Sequence, residues 1–232
     1  MRFADFLAPT DARRVIRVLE KLAHYGLRDF ALTGGLAVEM HRDCPSIRSL
    51  NDVDIVVESF DAIPPALAYG FLFRHIHPDA AHGKTMVQLV DAREALRIDV
   101  FRAYGATLAR SVAGPVALVA REDLAAREAA LLMDLERGIP VPRKHAEDFP
   151  RLLHTVDPGR IEAAWREHRK PHDPETFREA AALIVELLQS RQDLLVVPEY
   201  SRDTDAVCPQ CRETERFRLA APRTVLSILG YC

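Results

Sequence analysis

The chain has no uninterrupted apolar run of the roughly 20 residues that a membrane-spanning helix needs, so no transmembrane segment is expected. Its first residues, MRFADFLAPTDARR, lack the apolar stretch and small-residue cleavage site of a secretory signal, and the expectation is a cytoplasmic protein without membrane contact. No excess of either charge is present. Thirty-one basic side chains face 34 acidic ones, a formal net charge of −3, which excludes the global electrostatic footprint of a generic nucleic-acid binder but leaves room for a local basic patch. Cysteine is scarce: Cys44 stands alone, and Cys208, Cys211 and Cys232 crowd the C-terminus, a distribution unlike the disulfide framework of a small secreted fold. Internal repeats and low-complexity tracts are absent as well.

What is there suits one large domain or a domain with an appendage, since 232 residues can build a core without covalent staples. Residues 1–120 mix helix and strand signals, 121–198 read as helix only, and 199–232 break the helical period, which predicts an α/β (α+β) mixed sheet with flanking helices, a helical subdomain and a short Cys-containing C-terminal segment. Thr10 or Asp11 is placed to cap a first helix with Val15, Ile16, Val18, Leu19 and Leu22 on its apolar stripe, ending at Gly26. Phe30 to Leu32, Val53 to Val57, Thr85 to Val90 and Leu96 to Phe101 read as strands, the last two joined as a hairpin, with a weaker strand over Val116 to Val119. Helices are expected over Asp123 to Arg137, from Pro142 towards Thr155, over Pro158 to His168 and over Pro174 to Ser190.

The chemistry concentrates in three short stretches. Residues two apart on a strand share a face, so in Asn51-Asp-Val-Asp-Ile-Val-Val57 the side chains of Asp52 and Asp54 project together while Val53 and Ile55 enter the core. In Arg97-Ile-Asp-Val-Phe101 the same alternation separates Asp99 from Leu96, Ile98 and Val100. If the two strands are neighbours, three carboxylates converge, and their mutual repulsion calls for a cation. All-oxygen ligation favours Mg²⁺ or Mn²⁺, the ions used for in-line displacement at phosphorus. Upstream, Ala31-Leu-Thr-Gly-Gly-Leu-Ala-Val38 runs from a strand into a helix over Leu36 to His41, and glycines at such a turn let backbone approach phosphate closely.

Thr33-Gly34-Gly35, Asp52-x-Asp54 and Asp99, in that order, resemble the signature of the nucleotidyltransferase superfamily of the DNA polymerase β type. The wording Leu-Thr-Gly-Gly-Leu-Ala-Val and Arg-Ile-Asp-Val-Phe is most similar to the AbiEii-like and MNT-like minimal nucleotidyltransferases, many of which are toxins of toxin–antitoxin pairs. The resemblance covers residues 10 to about 155. It implies nucleotidyl transfer from an NTP donor with release of pyrophosphate, a metal-binding catalytic set of Asp52, Asp54 and Asp99, and nucleotide contacts from Thr33, Gly34 and Gly35. The chain departs from the subgroup in the long interval from Gly35 to Asp52 and, in the helical part, at Arg127-Glu128, which stands where a lysine is expected. Lys144-His-Ala-Glu-Asp148 keeps the lysine and last acid of a second subgroup motif but has His145 for an acid, so Lys144 is the implied phosphate-contacting lysine.

Nothing in the sequence selects the acceptor: tRNA, a protein hydroxyl, an aminoglycoside or another small molecule suits this chemistry, and the toxin subgroup would bring an antitoxin partner. A second class of reading, a non-catalytic nucleotide-binding or protein-interaction module of the same fold, is separated from the enzyme by pyrophosphate release. Cys208-Pro-Gln-Cys211 has the turn of a zinc knuckle, and with Cys232 it supplies three ligands where Zn²⁺ takes four. His75, His77, Asp79 and His82 offer four possible Zn²⁺ ligands, but with Pro78 and two alanines among them and no helix to align them they read as a polar loop near the nucleotide; Lys84 could reach a triphosphate, though a lone lysine there is more often solvated.

Overall fold

A computed structural model describes residues 2–42, 47, 49–77 and 86–197. The cysteine-bearing segment with Cys208, Cys211 and Cys232, as well as Cys44, Asp79, His82 and Lys84, lies outside the described residues.

The N-terminal part is built on a five-stranded mixed sheet. Its strands are β1 (Ala31–Thr33), β2 (Asp52–Val57), β3 (Leu72–His77), β4 (Met86–Asp91) and β5 (Leu96–Arg102), in spatial order β1-β2-β5-β4-β3. Only the β2–β5 pair is parallel; β1 runs antiparallel to β2, and β5, β4 and β3 form an antiparallel meander. The β-branched residues of β2 explain its central place, since Val53, Ile55 and Val57 are fully buried on one face. Leu96, Ile98 and Val100 of β5 fill the same layer.

Two helices pack on the sheet, α1 (Pro9–His24) and α2 (Gly34–Met40). Four of the five expected stripe residues of α1, Val15, Val18, Leu19 and Leu22, are buried, each contributing about 1.5–3 kcal/mol by its removal from water, whereas Ile16, about 100° round the helix from Val15, is 44% exposed. Its start differs from the expectation: the N-cap is Ala8, and Pro9 opens the helix with no side-chain cap, because proline at the first turn has no N–H to satisfy. Strand β3 was not expected. It lies at the sheet edge, carries a register shift between Phe73 and His75, and includes the His75 and His77 positions that read as loop, so the period-2 signal is broken where the strand bulges. The expected strand over Val116 to Val119 is reduced to isolated bridges of Leu118 with Leu32 and Val112.

Helices α3 (Arg121–Leu132), α4 (Arg143–Leu153), α5 (Pro158–His168) and α6 (Phe177–Ser190) follow. The last begins three residues later than Pro174, because Thr176 caps it and closes a capping box with Glu179. Two further short strands, β6 (Val141–Pro142) and β7 (Leu195–Val196), pair in parallel and tie the end of α6 to the start of α4. The alanine-rich α3 is central: it contacts α2, α4, α5 and α6, and Ala125, Ala126, Ala129 and Ala130 allow close approach on several sides. Three of its acids are nevertheless buried, and each is tied to a different segment. Glu122 accepts from the Asp157 backbone N–H, Asp123 from Arg110, and Glu128 faces His145 on α4. These bonds offset the desolvation of the carboxylates and tie α3 to α4, to the start of α5 and to the loop at Arg110.

Candidate metal centre

The register of three strands assembles the site. Asp54 of β2 sits opposite Asp99 of β5, Thr33 of β1 opposite Asp54, and Gln88 of β4 opposite Asp99, so Thr33, Asp54, Asp99 and Gln88 form one row across the sheet. Asp52 is one step along, opposite Arg97. In a parallel pair, directly opposed residues share a face, so the β2–β5 pairing that sequence alone left conditional brings all three acids together. One carboxylate oxygen from each of Asp52, Asp54 and Asp99 lies within 4.8 Å of the others. Two oxygens on one Mg²⁺, at about 2.0–2.1 Å each, stand at most about 4.2 Å apart, so a small rotation of the side chains suffices for a shared ion. The donor set, three carboxylates and no sulfur or imidazole, fits a hard divalent cation.

The electrostatics point the same way. Burial, then the charges of Asp52 and Asp99, push the Asp54 carboxyl up to about 7, against opposing pulls from Arg127 and Lys144. The Asp99 carboxyl, on a residue only 8% exposed, is likewise held above the usual carboxylate range, first by burial, with the Asp52 charge adding to it; Arg97 and a hydrogen bond from Gln88 work in the other direction. Gln88 Nε2 donates to Asp99 Oδ1 at 2.8 Å and so orients that carboxylate. Arg97 donates to Asp52, and its Nε lies 3.5 Å from Asp99 Oδ1.

Gly34 is the first residue of α2 and has φ +61°, in the region where a side chain is strained. A Cβ there would come within 2.9 Å of the Asp54 Cβ and closer still to its carboxylate. The glycine is therefore required twice, by the turn and by the acid it packs against. Gly34→Ala is expected to lower the melting temperature and to displace Asp54, weakening Mn²⁺ binding; the left-handed backbone alone costs about 1–2 kcal/mol. Thermal melts with and without Mn²⁺ check both effects, and a variant with wild-type metal response would show that Asp54 does not depend on this turn.

The structure also brings in Arg127, whose role was not read from the sequence, beside Thr33 and Lys144. Thr33, buried, accepts from Arg127 Nη1 at 3.2 Å, and the Arg127 guanidinium lies 5.0 Å from the centre of the Phe101 ring. Arg127 thus takes a place beside the row, and Lys144, at the start of α4, adds its charge to Asp54 and Asp99. His145 Nδ1 lies 2.5 Å from Glu128 Oε2, which anchors the first turn of α4 to α3 next to Lys144. A cavity of about 160 Å³ lies between the sheet and α3, with Thr33, Val56, Phe101, Tyr104, Leu124 and Arg127 among its walls. Gly35 follows Gly34 in the same turn.

No family model matches the chain, and no curated protein matches it. Among solved structures, it is similar to a protein from H. pylori described as a "putative nucleotidyltransferase", with 14% identity over 77% of this chain and 93% of that one and a TM-score of 0.29. It is also similar to JHP933 from Helicobacter pylori, with 14% identity over 81% of this chain and 93% of that one and a TM-score of 0.30. At that level of superposition the chemistry has to be argued from this chain's own residues. No helix among the described residues is long and apolar enough to cross a membrane.

Proposed function

We propose that the protein is a metal-dependent nucleotidyltransferase that moves a nucleotidyl group from an NTP to a hydroxyl-bearing acceptor and releases pyrophosphate. The observation that supports this reading best is the acidic cluster: three carboxylates from two adjacent strands, bordered by the Thr33-Gly34 turn on one side and by the cations of Arg127 and Lys144. Phosphoryl chemistry asks for this combination, with acids to hold a cation and positive groups and close backbone to hold an anionic donor.

A divalent ion, Mg²⁺ or Mn²⁺, held by Asp52, Asp54 and Asp99 would supply charge neutralisation and lower the pKa of an attacking hydroxyl. The protein's own groups do the rest. Asp99, oriented by Gln88, is the proton acceptor for that hydroxyl. Thr33, Gly34 and Gly35 approach the donor phosphates through backbone, and Lys144 and Arg127 balance their charge. The subgroup reading, AbiEii-like or MNT-like with a toxin role and an antitoxin partner, belongs to this proposal, as do a cytoplasmic location and a Zn²⁺ held by Cys208, Cys211 and Cys232.

Incubation of the protein with labelled NTPs and Mg²⁺ in a cell extract tests the activity and identifies the acceptor, whether tRNA, protein or small molecule. Wild-type protein is expected to label one class of molecule and to release pyrophosphate, and Asp99→Ala to do neither. Pyrophosphate release undiminished in Asp99→Ala would overturn the reading, and nucleotide binding without any turnover would favour a binding module of the same fold.

A further inference from the structure

The acidic row already contains a cation of its own. Arg97 sits on β5 opposite Asp52 and two residues before Asp99, so the alternation of the strand and the β2–β5 register put its side chain on the same face as the triad. Its guanidinium bonds to Asp52, and its Nε stands 3.5 Å from Asp99 Oδ1. That Nε is buried and has no hydrogen-bond partner among the described residues. An arginine that made a permanent structural tie would be expected to use all of its buried donors, because an unsatisfied one costs on the order of 1–3 kcal/mol. Here one terminal nitrogen engages Asp52 and the buried Nε is left without a hydrogen bond beside Asp99, while the side chain keeps about a quarter of its surface open to solvent.

We propose that Arg97 is a displaceable counter-ion of the triad: it holds Asp52 and Asp99 together in the metal-free protein and gives up Asp52 when a divalent cation binds. The inference rests on the reading of Asp52, Asp54 and Asp99 as a metal centre. The physical reason is charge. Three carboxylates within 4.8 Å repel one another without a cation, and a guanidinium among them relieves the repulsion. Once a divalent ion shares the same oxygens, Arg97 faces a like charge and competes for Asp52 Oδ2, so it weakens the affinity for metal that the bare triad would have. The partial exposure of its side chain leaves it a route away from the acid.

Two neutral variants, Arg97→Met and Arg97→Gln, and the charge-conserving Arg97→Lys test this with full-length protein and Mn²⁺ alone. The readouts are Mn²⁺ binding by calorimetry and melting temperature in EDTA and across a Mn²⁺ series. Both neutral variants are expected to melt below wild type in EDTA, to bind Mn²⁺ about tenfold more tightly, and to gain more in melting temperature as Mn²⁺ is added. Arg97→Lys is expected to stay within about threefold of wild-type affinity, because its ammonium remains a competitor. If wild type binds Mn²⁺ and neither neutral variant binds it more tightly, the proposal is overturned while the metal centre stands. If no protein in the series responds to Mn²⁺, whatever the melts in EDTA, the metal centre itself fails and displacement fails with it.

Discussion

Asp54→Asn is expected to reduce pyrophosphate release by about 10³-fold or more and, in the same protein, to raise the melting temperature measured in EDTA at pH 8. The loss follows from removing one of the three proposed ligands, since a bound metal would contribute several kcal/mol to the proposed reaction and each 1.36 kcal/mol is a factor of ten. The gain in stability follows from the sign of the Asp54 shift. Its carboxyl is pushed up to about 7 by burial and by Asp52 and Asp99, from an ordinary value of 3.8. The folded state therefore binds more protons at Asp54 than the unfolded state between those values, so the contribution of this group to stability is full below about pH 4 and is lost as pH rises through 7. At 1.36 kcal/mol per unit the cost of ionisation is on the order of 4 kcal/mol, shared among coupled acids. Asparagine keeps the shape beside Gly34 and removes the charge. Denaturant titrations in EDTA from pH 4 to 8 check it: wild type should lose stability with rising pH, and Asp54→Asn should flatten that slope. Mn²⁺ should flatten it in wild type as well. An unchanged slope in the variant would mean that Asp54 is not the strained acid of the group.

The second large effect lies away from the acidic triad. Asp123→Ala is expected to destabilise the fold by about 3 kcal/mol or more, the usual consequence of removing one partner of a buried pair. The Asp123 side chain is fully buried and accepts from Arg110 through two nitrogens, at 2.5 and 2.8 Å, and from the Thr107 hydroxyl at 3.0 Å; His168 Nε2 lies 3.3 Å away. Arg110 also reaches Glu167 on α5, so the loop before α3, α3 itself and α5 meet at this carboxylate. Burial raises the Asp123 carboxyl, but the hydrogen bonds from Arg110 and His168 outweigh it and bring it down to about 2. With the folded value below the ordinary one, the stabilisation is present above about pH 4 and is lost as pH falls towards 2, an amount of about 2 kcal/mol. Urea unfolding of wild type and variant at pH 7 and pH 2.5 measures both. The gap between them should narrow in acid, and a variant with wild-type stability at pH 7 would show that Asp123 does not tie these segments together.

These two acids illustrate how differently the site and the scaffold could be read. Asp54 was visible because alternation on a β-rich strand separates it from Val53 and Ile55 and pairs it with Asp52. Asp123 was visible only as part of a helix start, since nothing local distinguishes an acid that solvent covers from one that Arg110, thirteen residues earlier, will meet. Gln88, Arg97 and Arg127 had the same difficulty. Arg97 shares a face with Asp99 by the same two-residue rule, and that much could have been drawn from the strand; that it would meet Asp52 depends on which strand lies alongside. The helix start at Pro9, the capping of α6 by Thr176 and the bulged edge strand β3 were misplaced for a related reason, because turn chemistry and edge pairing offer weaker patterns than a buried stripe.

By itself the sequence determined the alternation that puts Asp52 with Asp54 and Asp99 apart from its apolar neighbours, the glycine turn after β1, the apolar stripe of α1 and the change from mixed to helical character near residue 120. These are short-range properties of backbone geometry and burial, and they survive whatever the rest of the chain does. Only the tertiary structure decided that β2 and β5 are parallel neighbours in a register that sets Asp54 opposite Asp99, that the Gly34 turn leaves room for one carboxylate and no Cβ, and that Arg97 lies among the acids. Strand order and register are long-range choices, made by the packing of the whole core, and the convergence of the three acids follows from them.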